Sequence, residues 1–245
     1  MSKNELTAAQ LADRWMDQRE IQNLMGKFVQ YELLKKEKGI FSDFWCAEAD
    51  EPTLGINNGY YVGYQTIRAY YDARFDITEV KSKHMQKMFP DFLGPVSDIE
   101  LHGVGSCNVN ALTSPIVEVA EDGRTAKGLW SVMGIENEIF EIGPCTMLAF
   151  GYIAADFVKE NGDWKIWHLL KINDIYAPGG QDWAGECVMP EAVPEFAELA
   201  ALRLPEPTVA VTIREPYHPS RKNSPLVKVP KPYSTFSETF SYGIQ

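Results

Sequence analysis

The order of elements predicts an α+β fold: three helical stretches come first and four strand-like stretches follow, with no βαβ alternation. The turns point the same way. Glu121-Asp122-Gly123 and Asn161-Gly162-Asp163 join strand-like stretches, and their residue types tolerate the positive φ of a hairpin corner. The prolines concentrate in 176–245, so regular structure is expected to end near there.

Residues 4–37 read as the first helix, because Ile21, Leu24, Phe28 and Tyr31 recur at spacings of three and four and share a stripe that Trp15 can extend. A short helix is expected over 40–49, ended by Pro52, then a strand at 53–56 and a turn at Asn57-Asn58-Gly59. Tyr60–Val62 extends again. A third helix covers 64–76, with Ile67, Tyr70, Tyr71 and Phe75 on one side, and continues over 77–89. Residues 91–105 read as loop or irregular strand, and the four strands as 107–120, 124–138, 145–160 and 163–175. Strict alternation in the last strand puts Trp164, Ile166, His168 and Leu170 on one face and Lys165, Trp167, Leu169 and Lys171 on the other. Both faces carry large apolar groups, so both are expected to be covered, one by helices and the other by the tail or a second copy. The expected division is a domain over 1–176 and a Pro-rich arm over 177–245, with one helix at 191–203. The arm's rings, Tyr217, Tyr233, Phe236, Phe240 and Tyr242, are too many for a solvated linker.

The 245 residues carry a net charge of −11, from 23 basic and 34 acidic side chains, which argues against nucleic acid as a partner. No apolar run approaches the roughly 20 residues that span a bilayer, and MSKNELTAAQLADRW lacks an apolar signal core. A cytoplasmic protein is expected, with no membrane partner. Cys46, Cys107, Cys145 and Cys187 are scattered, with no CxxC. No HxH, HExxH, GxGxxG or P-loop occurs (GGQDW after Pro178 is not one), so neither metal nor cofactor is expected.

Four stretches, RWMDQREIQNLMGKFVQYELL, YYVGYQTIRAYY, NALTSPIVEVAEDGRTAKGLW and YIAADFVKENGDWKIWHLLKI, together resemble SnoaL-like proteins of the nuclear-transport-factor-two-like fold. The resemblance covers most of 14–176. It implies a cone-shaped barrel, three helices against a curved antiparallel sheet, around a deep apolar pocket. Relatives include scytalone dehydratase, ketosteroid isomerase, polyketide cyclases and diarylpropane lyases acting on lignin-derived dimers. The subgroup with a long Pro-rich arm implies a cofactor-free lyase or isomerase for an aromatic or polyketide-like substrate, assembled as a trimer; a dimer through the open sheet face is the other expectation. The dehydratase's two histidines have no counterpart: Cys107–Asn110 and Leu129–Val132 stand there. The steroid isomerase's aspartate would fall near Ile56–Asn58, which offers only amides.

The candidate catalytic residues are Tyr31 and Glu32, near the pocket end of the first helix, and His168. A phenol can donate to an oxyanion, a buried carboxyl can act as acid or base, and an imidazole titrates near neutrality. Each has a structural alternative: Tyr31 in the core, Glu32 solvated beside Lys35 and Lys36, His168 bonded to a backbone carbonyl. The substrate-binding candidates are Asn57, Tyr61, His102, Asn110, Trp130 and Tyr152, with Tyr60 and Asp174 weaker. His102 sits between glycines that suit a lid, His84 lies in the lysine-containing KSKHMQK, and His218 lies in the arm. The expected function is dehydration or deformylation of a small aromatic, lignin-derived or polyketide-like molecule. A binding module without turnover, or an isomerase or cyclase, is the alternative.

Overall fold

The computed structural model describes residues 7–93, 97–181, 191–213, 217–220, 222 and 227–244. Residues 4–6 of the expected first helix, Asp182 and Trp183 of GGQDW, Cys187, Pro216 and Pro225 lie outside these.

The first helix, α1 (Ala8–Leu33), starts where Thr7 closes a capping box with Gln10: the Thr7 hydroxyl accepts the Gln10 N–H and the Gln10 amide oxygen accepts the Thr7 N–H. Its buried stripe is Ile21, Met25, Phe28, Val29 and Glu32; Trp15 falls outside that stripe and is 63% exposed. The second helix, α2 (Glu37–Phe44), ends earlier than the sequence predicts, because Trp45 leaves it to bridge the last long strand at Ile166 and the Cys46 N–H donates to the Ile166 carbonyl. β1 (Thr53–Ile56), the turn and β2 (Gly59–Val62) form the expected hairpin, and α3 (Tyr64–Met88) is continuous. Where loop or irregular strand is expected, two short helices stand, α4 (Pro90–Leu93) and α5 (Asp98–Leu101). A second capping box, Ser97 with Glu100, starts α5.

Four long strands follow: β3 (Cys107–Val119), β4 (Thr125–Phe140), β5 (Gly143–Glu160) and β6 (Asp163–Pro178). With β1, β2 and the two-residue β7 (Val209–Ala210) they form one sheet in the order β3-β4-β5-β6-β1-β2-β7, antiparallel except where β1 runs parallel to β6. One face meets the helices in a core that includes Phe28, Tyr71, Trp130, Ile153, Phe157 and Ile166. This is an α+β cone of helices on a curved sheet.

Two bulges in β6 decide which side chains look inward. Asp156 pairs with His168 but Phe157 pairs with Ile166, so Trp167 is an extra residue; Gly151 pairs with Asn173 but Phe150 pairs with Ile175, so Asp174 is another. Each extra residue inverts the alternation. Trp164 and Ile166 face the helices, and after the first bulge Leu169, Lys171 and Asn173 do, while His168, Leu170 and Ile172 turn outward. After the second bulge Tyr176 points inward again. The expected sharing of one face by Trp164, Ile166, His168 and Leu170 is thereby corrected. At Gly151 the strands come so close that a Cβ would lie 1.9 Å from the Ile172 carbonyl oxygen.

The chain beyond β6 returns over the molecule. Residues Pro194–Ala201 form a 3-10 helix rather than the expected helix over 191–203, and Phe196 and Leu199 pack on Met85 and Ile139. Residues 227–244 cross the outer face, where Val227 and Tyr242 pack on Leu129, Ala154, Leu170 and Ile172. A buried pair anchors this crossing: Lys127 Nζ and Asp156 Oδ1 lie 2.6 Å apart, and Asp156 Oδ2 accepts the Ser241 hydroxyl at 3.0 Å and the Tyr242 N–H at 2.8 Å. The rings of Tyr233, Phe236, Phe240 and Tyr242 surround the Lys127 ammonium at 4.5–5.8 Å. Burial pushes this lysine's pKa down and the aspartate's up, against their mutual attraction.

Candidate active site

The inward faces of α1, α3, β1, β3, β4 and β6 line a cavity of about 340 Å³, with Leu204 also at its wall. Phe28, Tyr70, Tyr71 and Phe140 give it aromatic walls. It is not the apolar pocket that the family resemblance implies: charged side chains converge in it. Lys35, Arg74, Lys81 and Lys171 are the cations and Glu32, Glu136 and Glu138 the carboxylates, an excess of one positive charge inside a chain of −11.

These groups form two clusters. In the first, Arg74 Nη1 donates to Glu32 Oε1 at 3.0 Å, while Lys171 Nζ lies 3.8 Å from Glu32 Oε2 and 3.5 Å from Glu136 Oε1. Burial alone would raise the Glu32 carboxyl, but Lys171 and Arg74 outweigh it and hold the pKa below the ordinary value. Burial likewise opposes the Lys171 and Arg74 charges. Glu32 and Glu136 raise the Lys171 pKa against it; Tyr70, a phenol, and Glu32 raise that of Arg74. Burial first, then the Glu136 carboxylate, keeps the Tyr176 phenol neutral far above its usual range. In the second cluster Glu138 receives Lys35 at 2.6 Å, Lys81 at 3.1 Å, the Asn108 amide at 2.8 Å and the Ser106 hydroxyl at 3.2 Å. Although burial works the other way, the two lysines pull its pKa down to about 2.

Of the residues singled out in the sequence, Glu32, Asn57 and Asn110 line the cavity. The Asn57 amide oxygen accepts the Asn173 N–H at 3.1 Å, which fixes the β1–β2 turn against β6. Tyr61 faces a neighbouring cavity of about 260 Å³, which shares Ile56, Tyr70 and Leu204 with the first, and its hydroxyl donates to the Pro205 carbonyl at 2.8 Å. Tyr31 lies outside the main cavity: its ring meets Phe44 edge-on, and the nearby Asp43 carboxylate raises the pKa of its phenol. Trp130 is core, edge-on to Phe157. His102 stacks on Phe75 and lies 3.3 Å from Glu37. Tyr152 packs on the outer face, and Tyr60 beside it. His84 pairs with Glu198 at 2.6 Å, and His218 with Ser220. His168 is outward, under residues 227–244. Its Nδ1 lies 2.9 Å from the Thr53 hydroxyl, and burial, then Lys127, lower its pKa to about 4.

The sequence reading missed Arg74, Glu136, Glu138, Lys171, Asn108 and Tyr176. Signals for some of them exist. Arg74 continues the Ile67–Tyr70–Tyr71 stripe at helical spacing, and Glu136 and Glu138 continue the alternation of Trp130 and Val132 along β4.

No family model matches this chain, and no curated protein matches it. Solved structures are similar in part. Two hexachlorocyclohexane dehydrochlorinases, LinA type 2 and the type 3 protein from Novosphingobium barchaimii, are 16% and 15% identical; each match covers 74% of this chain and 99% of theirs at a TM-score of 0.47. A provisionally assigned scytalone dehydratase from Novosphingobium aromaticivorans is 12% identical with the same coverages and TM-score. At that level the likeness is one of fold alone.

Proposed function

We propose that this protein is a cofactor-independent lyase that removes water from a small hydroxylated aromatic or polyketide-like carbonyl compound. The observation that supports the reading is the Glu136–Lys171–Glu32–Arg74 cluster against aromatic walls. Glu136 takes the proton from the carbon beside the substrate carbonyl. The electron pair moves onto the carbonyl oxygen, where the Lys171 ammonium and Arg74 guanidinium offset the new charge. When the enolate collapses, the carbon–oxygen bond to the neighbouring hydroxyl breaks and Glu136 returns its proton to that oxygen. One alkene and one water result. Glu32 holds the two cations in place. In deformylation Glu136 takes a hydroxyl proton instead, the carbon–carbon bond breaks, formaldehyde leaves, the electron pair passes to the carbonyl oxygen as an enolate, and Glu136 returns its proton to the enolate carbon.

The test is incubation with β-hydroxy aryl ketones in the presence of a chelator, following loss of water by mass spectrometry and formaldehyde by trapping. Turnover is expected, and it falls at least about 100-fold in Glu136→Gln and in Lys171→Met. Recovery of every compound unchanged, with one of them tightly held, would replace the lyase reading by that of a binding module.

We also infer self-association. Val109, Met133 and Ile135 lie on the outward side of β3 and β4, Val109 paired with Ile135, and each is about half exposed. A second copy is the occupant that suits such a patch on a sheet face.

A further inference from the structure

Two buried acceptors on residues that line the cavity have no partner among the described residues. Asn108 and Asn110 stand two residues apart on β3, so both side chains point to the same side, into the cavity. Each is 8% exposed, and the amide oxygen of each is buried without a hydrogen bond. The orientation of Asn108 is dictated rather than free. Its Nδ2 donates to Glu138 Oε1, and Lys35 and Lys81 keep that carboxylate ionised and therefore acceptor-only. Turning the amide over would set two oxygens against each other, so the orientation is fixed with Oδ1 away from Glu138. Asn110 is placed by a different device. It pairs with Gly134 on β4, and a Cβ on that glycine would lie 2.2 Å from Asn110 Oδ1, so the amide packs over the glycine and a side chain there would push it aside.

The cavity's charged donors, the lysines and the arginine, already meet carboxylates, so a ligand must bring donors of its own to the β3 wall. We propose that Asn108 and Asn110 form a specificity-determining subsite that selects ligands carrying two meta hydroxyl donors on one ring, which reach toward residues about 6.5 Å apart along the strand, and rejects their O-methylated analogues. The inference deepens the reading of this cavity as a reaction chamber and rests on it. Donor-bearing ligands satisfy both oxygens. A methyl ether of nearly the same shape leaves both acceptors unmet, as they are in the free protein, and so forgoes the affinity that the hydroxyls gain.

The probes are 3,5-dihydroxybenzoate and 3,5-dimethoxybenzoate, whose carboxylate matches the cationic excess, with benzoate as the reference. Calorimetric titration of the full chain should give a preference of at least about tenfold for the dihydroxy probe. In Asn110→Leu, and separately in Gly134→Ala, that preference falls toward one while benzoate binding stays as in the wild type. A wild-type ratio near one, a ratio unmoved by both substitutions, or no binding of either probe up to about 10 mM would overturn the subsite. Should the preference be present and respond to the substitutions while no β-hydroxy ketone is turned over, the subsite stands and the lyase reading fails.

Discussion

His168 offers a quantitative test of the inversion at Trp167. If alternation were unbroken, this imidazole would face the cavity and titrate in the course of a reaction. In the structure it is buried under residues 227–244, with Thr53 at 2.9 Å from Nδ1, Trp167 stacked on it and Gly243 against its ring. Its pKa falls from 6.5 to about 4, because burial and then the Lys127 charge disfavour the imidazolium. The sign follows from proton uptake. Between those two pKa values the unfolded chain binds a proton that the folded chain does not, so stability is full above about 6.5 and declines as the pH falls toward about 4. A shift of about 2.5 units corresponds to about 3 kcal/mol in all, of which about 2 kcal/mol is lost between about pH 7 and pH 5. For a chain of this length that amounts to a fall in Tm of about 4–8 °C. The perturbation is His168→Asn, which retains a polar partner for Thr53 but does not titrate. Thermal melts at a series of pH values should show a variant that is less stable at neutrality and has a flatter pH dependence over this window, with turnover within about threefold of the wild type. An unchanged pH dependence, or loss of turnover in a variant that still melts cooperatively, would refute the outward placement.

Three further outcomes follow from the same contacts. Asp156→Ala strands Lys127 as a buried charge and removes the acceptor for Ser241 and Tyr242, so it should destabilise by about 3–5 kcal/mol and expose the segment after residue 227 to proteolysis, read by denaturant melts and limited digestion. Met133→Lys places a charge in the outward apolar patch and should lower the assembly state in native mass spectrometry with the melting temperature of the subunit retained. Glu138 contributes stability that is present above about pH 4.5 and lost as the pH falls through about 2, so Glu138→Gln should remove the acid-side part of the stability profile, separately from His168.

The fold was legible because its signals are local. The hairpin corners at Gly123 and Asn161-Gly162 take positive φ, and the Ile21–Phe28 stripe obeys the helical period. The site was less legible because its geometry rests on events with no local mark. Nothing in the stretch Trp164–Tyr176 announces that Trp167 and Asp174 are extra residues. They are extra only relative to β5, and each moves the following side chains to the other face. His168 and Lys171 exchange roles for that reason. The charges on α3 and β4 were hidden differently: the chain neighbours of Arg74, Lys81, Glu136 and Glu138 do not show what these side chains meet. Their true partners come from another element, as with Lys35 and Glu138, which are 103 residues apart.

The ionic floor bears on whether the cavity catalyses or merely binds. Burying ion pairs gains little, because desolvation consumes most of the attraction, and an apolar floor of the same volume would be as stable or more so. Glu32 and Lys171 are thus weak contributors to folding, and their use has to be sought in what they do to a ligand. For a neutral aromatic ligand in its ground state they offer almost nothing beyond apolar residues, since each charge already has a counter-charge. For a carbonyl compound losing a proton the balance changes. The proton neutralises Glu136, its hold on Lys171 weakens, and the ammonium is released toward the new oxyanion 'in place', with no net charge added to the chamber. The arrangement is thus more complementary to an enolate than to its parent, which is the requirement for accelerating a reaction rather than storing a molecule. An enolate or phenolate mimic should therefore bind more tightly than its uncharged isostere, and it should lose that advantage in Lys171→Met; equal affinity for the two in the unaltered protein would remove the catalytic argument.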